Sequence, residues 1–270
     1  MPLAKAGQIE LSYDRAGDGP PLLLVMGMSG TKHHWGERVL SELRRDFEVI
    51  VYDHRDAGDS TRTGAPFTIA ELADDAAALL AALEVESAHV MGISMGGMVA
   101  QELALGHPER VRALTLGCTY CGGAGSSLAA QETIERLAAA MSSGDRRLAI
   151  RTAWEINVSP GFAADEAEWE RFLATGMKYG LPVAVIMEQM KAIAGHDTSA
   201  RLADVQAPTL VVHGTEDLLI PTENGRMIAG LIGSHPPAKL EIFDGVGHMF
   251  FLERPERTAE LVREHALVNA

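Results

Sequence analysis

The sequence predicts an α/β fold: a mostly parallel sheet flanked by helices, with a helical cap inserted into it. Three observations carry that expectation. Strand-length apolar runs alternate with segments of helical periodicity from Gln8 to Gly117. The alternation stops between about Ser126 and Ala203, where the periodicity is helical throughout. It resumes at Thr209 and continues to Leu267. Strand–helix alternation joins parallel strands through right-handed crossovers, and these cover both faces of the sheet. A chain of 270 residues suits one large α/β domain with an insertion. The expected division is a core over residues 1–121 and 206–270 and a cap over residues 122–205.

Element by element, Ile9, Leu11 and Tyr13 alternate with polar neighbours, which predicts a strand over Gln8–Arg15. Leu22–Met26 is apolar throughout, as in a strand covered on both faces. A helix over Gly36–Arg45 and a buried strand over Glu48–Tyr52 follow. Thr68-Ile69-Ala70-Glu71 has the spacing of a capping box and should start a helix to about Leu83. A strand over Ala88–Gly92 leads into a helix over Met95–Leu105, which Gly106-His107-Pro108 stops. Val111–Gly117 is a further strand, and Gly122-Gly123-Ala124-Gly125 then breaks the rhythm. Cap helices are expected over Leu128–Met141, Arg146–Ile156, Ala164–Met177 and Pro182–Ala194. The core then closes with strands Thr209–His213 and Lys239–Phe243 and helices Thr222–Ile232 and Arg254–Leu267.

A formal net charge of −14, with no run of Lys and Arg, argues against nucleic acid and against anionic membranes as partners. Two cysteines, Cys118 and Cys121, cannot form a secreted disulfide framework. The opening residues lack the apolar run of a signal peptide, and no apolar stretch approaches the ~18 residues that span a bilayer. A cytoplasmic protein is expected, and nothing in the sequence sets its oligomeric state. Neither a dinucleotide fingerprint, nor a phosphate loop, nor a metal constellation stands out, so no cofactor and no metal are expected.

The chemistry centres on Gly92-Ile93-Ser94-Met95-Gly96, between a predicted strand and a predicted helix. That is the context of a nucleophile elbow, in which a tight turn lifts a serine hydroxyl above the end of the sheet. Serine needs a base. Of ten histidines, His248 sits in a glycine loop after the last strand. His213 falls inside a strand, which suits a packed or hydrogen-bonded residue, and surface positions are the simpler account of His33 and His34. The base needs an acid to set its tautomer. Asp217 follows a strand end 31 residues before His248, and Glu216 is its competitor. A tetrahedral oxyanion needs two backbone donors. The Met95 amide is one, and the Met28 amide, after Gly27, is the other expected donor.

With these stretches in view, the chain resembles the α/β-hydrolase superfamily, and within it the serine esterase, enol-lactonase and polyketide methyl esterase-like group. The resemblance rests on Val25-Met26-Gly27-Met28, Tyr52 to Ser60, Gly92 to Gly97, His107 to Val111, His213 to Asp217 and Gly247 to Pro255. Many members have His where Met26 stands, but the expected donor is a backbone amide. The resemblance implies the chain order Ser94, Asp217, His248 and a serine hydrolase acting on a carboxylic ester or lactone of a small to medium, largely apolar molecule. Ser94 excludes relatives with an aspartate nucleophile. The same site in this fold also serves carbon–carbon bond hydrolysis and cofactor-free perhydrolysis, and an idle, purely binding protein is a further alternative. Gly27, Trp35, Trp154, Met187 and Met249 are candidate pocket residues. Cys118-Thr119-Tyr120-Cys121 reads as small buried thiols, and Asp53-His54-Arg55-Asp56 as a structural turn tied by Arg55.

Overall fold

Leu22 and Leu24 turn to one face of the sheet, Leu23 and Val25 to the other, and all four are buried. This two-sided burial, read from one apolar run, is repeated across the centre of a sheet described in a computed structural model that covers residues 2–233 and 237–268. The outer core limits expected from the sequence, residues 1 and 270, lie outside the described residues.

The strands are β1 (Leu3–Ala6), β2 (Ile9–Ala16), β3 (Pro21–Val25), β4 (Glu48–Tyr52), β5 (Ala88–Ile93), β6 (Val111–Gly117), β7 (Thr209–Gly214) and β8 (Lys239–Phe243). They form one sheet in the order β1-β2-β4-β3-β5-β6-β7-β8. The pairs β1–β2 and β2–β4 are antiparallel and the rest parallel. β1 has no counterpart in the sequence reading, because four residues with only Ala4 and Ala6 turned inward give too short a pattern.

The core helices are α1 (Glu37–Leu43), α2 (Ile69–Ala82) and α3 (Met95–Gly106). The helices inserted between β6 and β7, in the segment expected to be a cap and called so below, are α4 (Gln131–Ser142), α5 (Arg146–Asn157), α6 (Pro160–Ala163), α7 (Glu166–Tyr179) and α8 (Val183–Ala194). The chain returns to the core with α9 (Glu223–Leu231), α10 (Phe250–Glu253) and α11 (Pro255–Val268). The capping box at the start of α2 is formed: Glu71 N donates to Thr68 Oγ1 at 3.2 Å, and Thr68 N to Glu71 Oε2 at 2.8 Å. Among the described residues, no strand lies between β6 and β7, and no helix is long and apolar enough to cross a membrane.

The cap has its own small core of Trp154, Val158, Trp169 and Leu173. It joins the main core through Met249 and Leu252, which touch both clusters. Two expectations are corrected here. Trp35, a candidate pocket residue, is fully buried in the main core with its ring against Phe251, because the short helical turn Lys32–Trp35 rotates it inward. Trp154 is buried in the cap core and donates its indole N–H to the Ala163 carbonyl at 3.2 Å, so it holds the cap helices to one another.

The tightest point of the fold is the β5–α3 junction. A Cβ on Gly92 would overlap the Gly96 carbonyl oxygen, and one on Gly96 would overlap the Val25 carbonyl oxygen. Gly92→Ala is therefore expected to cost about 2 kcal/mol or more of stability, with backbone rather than a side-chain tip in the way. Urea denaturation of the purified variant checks this, and an unchanged midpoint contradicts it.

Candidate active site

Consecutive strands of the sheet deliver the candidate residues to one edge. The loop Met26-Gly27-Met28 follows β3, Ser94 follows β5, Cys118 follows β6, Asp217 follows β7 and His248 follows β8. Since β3, β5, β6, β7 and β8 are neighbours in that order and parallel, all five groups gather at the carboxyl ends. Ligands of open α/β sheets bind at that edge.

Ser94 has φ 53° and ψ −124°, a left-handed conformation that costs an L-residue about 1 kcal/mol or more. Its neighbours hold it there. Ser94 N donates to Gly117 O at 2.9 Å, and Thr119 Oγ1 donates to Ser94 O at 2.7 Å. Gly27 lies so near that a Cβ on it would stand 3.0 Å from Ser94 Cβ and 3.6 Å from Ser94 Oγ. The loop carrying Met28 thus passes directly beside the serine. Met95 is the first residue of α3, so its N–H is one of the donors a helix leaves unused. Ser94 Oγ makes no hydrogen bond among the described residues.

Asp217 is buried and heavily hydrogen-bonded. Its Oδ1 accepts from Leu219 N and Ile220 N, both at 2.9 Å. Its Oδ2 accepts from His248 Nδ1–H at 2.7 Å and lies 3.3 Å from His213 Nε2. Burial opposes ionisation, but the neighbouring imidazoles and their hydrogen bonds outweigh it and hold the carboxyl well below the usual range. The same contact acts on His248 with opposite sign: burial disfavours the imidazolium, and the Asp217 carboxylate overrides burial and raises the pKa well above 6.5. With Nδ1–H committed to Asp217, Nε2 is the nitrogen left to face a substrate. Glu216, the competing carboxylate, is exposed.

His213 is packed, as expected for a strand residue, and Nε2–H donates to Ile220 O at 2.7 Å. His33 and His34, expected at the surface, are both partly exposed, and each is engaged by a neighbour. His33 stacks on Tyr179 of the cap with ring centroids 3.8 Å apart, and His34 Nδ1 lies 3.0 Å from Thr31 N. Burial pushes the His34 pKa down to about 4. Met187 and Met28 are exposed, and Met249 is partly buried at the seam of cap and core.

Several residues that hold the site were read from the sequence only as structural, the turn tied by Arg55 and the two cysteines, while Lys32, Ser159 and Asn157 gave no signal there. The turn after β4 braces the loop beside Ser94: His54 Nε2–H donates to Met26 O at 3.0 Å, and Lys32 N donates to Asp53 Oδ1 at 2.8 Å. Arg55 ties the same turn to α2 through two bonds to Asp75, at 2.6 and 2.7 Å. Cys118 and Cys121 are buried and unbridged, and burial pushes both thiols up, Cys121 to about 11. Cys118 is nonetheless more than filling: its thiol neighbours both the His248 imidazole and the Ser94 main chain. Glu253 joins cap to core. Its Oε1 accepts from Gly247 N at 2.8 Å and Ser159 N at 2.9 Å, and its Oε2 accepts from Ser159 Oγ at 2.5 Å. Met249 N also donates to Asn157 O at 2.8 Å. The His248 loop is therefore anchored on one side by the cap residue Asn157 and on the other by Glu253, itself bonded to Ser159 of the cap. Among the described residues no group of three His, Cys, Asp or Glu side chains is arranged to hold a metal.

The model of the alpha/beta hydrolase family matches residues 22–261. A protein of Azorhizobium caulinodans, provisionally named carbamate hydrolase RutD, is 31% identical over 263 residues, 97% of each chain. The 2-hydroxymuconate semialdehyde hydrolase of Pseudomonas sp. strain CF600 is 30% identical and covers 95% of this chain and 90% of its own. The solved structure of Est816, described as an N-acyl homoserine lactone degrading enzyme, superposes with a TM-score of 0.79 at 30% identity, over 97% of this chain and 99% of that one.

The Glu253 clamp has a measurable consequence. Glu253→Ala leaves the Gly247 and Ser159 amides buried without an acceptor, at an expected cost of about 2–4 kcal/mol. Glu253→Gln keeps one acceptor oxygen and should cost less. Equilibrium denaturation of the two variants tests this order, and equal loss or none contradicts it.

Proposed function

The chain belongs to the alpha/beta hydrolase family, and on that premise we propose that it is a serine hydrolase cleaving a carboxylic ester or lactone of a small to medium, largely apolar molecule through an acyl-enzyme. The observation that carries this reading is the serine in its left-handed turn, beside Gly27 and at the same sheet edge as the buried His248–Asp217 pair. Ser94 Oγ attacks the carbonyl carbon while His248 Nε2 takes its proton. The Met28 and Met95 amides receive the charge that develops on the carbonyl oxygen. His248 then gives the proton to the departing alcohol oxygen, and water, deprotonated by the same nitrogen, releases the acid and restores the serine. Asp217 keeps Nδ1 protonated throughout, so that Nε2 stays available as base.

The exposed apolar side chains of Met28, Leu218 and Met187 support an apolar substrate. The relative named N-acyl homoserine lactone degrading enzyme supports a lactone. The relative named 2-hydroxymuconate semialdehyde hydrolase favours a second reading, in which the same serine and histidine hydrolyse a carbon–carbon bond.

A fluorophosphonate probe should label the folded protein once, on Ser94, and Ser94→Ala should abolish both labelling and hydrolysis of p-nitrophenyl esters. Peptide mapping with intact mass checks this, and an adduct elsewhere, or a Ser94→Ala variant of full activity, refutes the assignment. Parallel assays with lactones, carbamates and dienol ketones separate the bond types.

The titration of His248 gives a second test. The base works only when neutral, and Asp217 raises its pKa above 6.5. kcat/KM should therefore rise with pH along a limb centred above 6.5. Asp217→Asn should move that limb to lower pH and reduce kcat by roughly 10⁴-fold, whereas Glu216→Gln should do neither. A wild-type limb centred below 6.5, or a crippled Glu216→Gln, contradicts this assignment.

A further inference from the structure

Gln189, on cap helix α8, is completely buried. Its Oε1 accepts a hydrogen bond from Ser29 N at 2.9 Å, across 160 residues of chain. A backbone N–H can only donate, so the bonded atom is the carboxamide oxygen and the amide orientation is settled. Its Nε2 is buried and makes no hydrogen bond. A buried amide donor without a partner is unfavourable, and it calls for a partner beyond the side chains around it. Ser29 directly follows Met28, and Gly27 of the same short loop touches Ser94. Ser29 itself has φ 61°, so the loop is held in a sharp left-handed turn where Gln189 reaches it. The free donor therefore sits where the cap meets the loop beside the nucleophile.

We propose that Gln189 is a specificity-determining residue that donates Nε2–H to a second acceptor oxygen of the substrate, one beyond the scissile carbonyl. The proposal rests on the serine-hydrolase reading above and narrows it. The favoured substrates are esters or lactones that carry an additional carbonyl, ether or hydroxyl oxygen near the scissile group. A purely structural role, pinning the cap to the loop, needs only the acceptor oxygen. It leaves the buried donor unexplained.

The test uses p-nitrophenyl esters in matched pairs, a plain acyl chain against the same chain with a ketone at C4 or C5. Butanoate esters of alcohols with and without an ether oxygen probe the other side of the bond. The readout is the ratio of kcat/KM within each pair for wild type, Gln189→Met and Gln189→Leu, so that general losses of activity cancel. Gln189→Met keeps a weak acceptor for Ser29 N–H, the thioether sulfur, and removes the donor without adding a titratable group, whereas Gln189→Leu removes both. Wild type should prefer the oxygen-bearing member of at least one pair, and both variants should lose about 5- to 100-fold of that preference. Fluorophosphonate labelling of Ser94 reports whether each variant retains a formed site. If wild type hydrolyses plain esters but no ratio differs between wild type and variants, the Gln189 assignment is overturned while the hydrolase reading stands. Loss of the preference in Gln189→Leu alone overturns it too, because the acceptor and not the donor would then matter. If wild type is neither labelled nor active on any ester, the hydrolase reading fails and this proposal falls with it.

Discussion

Ser94 is held at φ 53° at the end of β5, and that local strain sets requirements for everything around it. A side chain in the left-handed region persists only where its surroundings over-determine it. Here Gly117 O, Thr119 Oγ1, the bare α-carbons of Gly92 and Gly96, and the adjacent β3 main chain do so together. The interaction with β3 also brings Gly27 against the serine. The same tight packing that strains the nucleophile thus sets where the loop of the candidate oxyanion donor Met28 must run.

Electrostatics at the edge depend on one buried carboxylate. Asp217 is compatible with burial because two backbone amides and two imidazoles surround it. An isolated carboxylate there would protonate instead. Its ionised state fixes which nitrogen of His248 carries the proton, and so which one is left free of Asp217. Cys118 neighbours the His248 imidazole and the Ser94 main chain with a thiol that burial keeps neutral. A charged residue in its place would compete with Asp217 for the imidazole.

The cap is tied to the site at the two loops that carry its chemistry. Glu253 and the Asn157 carbonyl bind it to the His248 loop, while Gln189 and Tyr179 bind it to the loop after β3. Movement of the cap therefore acts on both the candidate base and the candidate oxyanion donor Met28.

The sequence by itself determined what depends on near neighbours in the chain. Periodicity in Leu22–Met26 or Thr68–Leu83, a capping box at Thr68 and Glu71, and a glycine on either side of Ser94 are relations over a few residues, and they are set by backbone sterics that any context must obey. Strand ends located this way were enough to put Ser94, Asp217 and His248 on one edge, because parallel strands all present their carboxyl ends to the same side. Only the tertiary structure decided which side chains meet across long stretches of chain. Trp35 turned into the core instead of the crevice, Trp154 closed the cap on itself, and His33 found Tyr179. Glu253 reached Ser159 across 94 residues and Gln189 reached Ser29 across 160. Such contacts leave no periodic trace, because they depend on how the cap settles on the sheet, and packing of whole elements decides that.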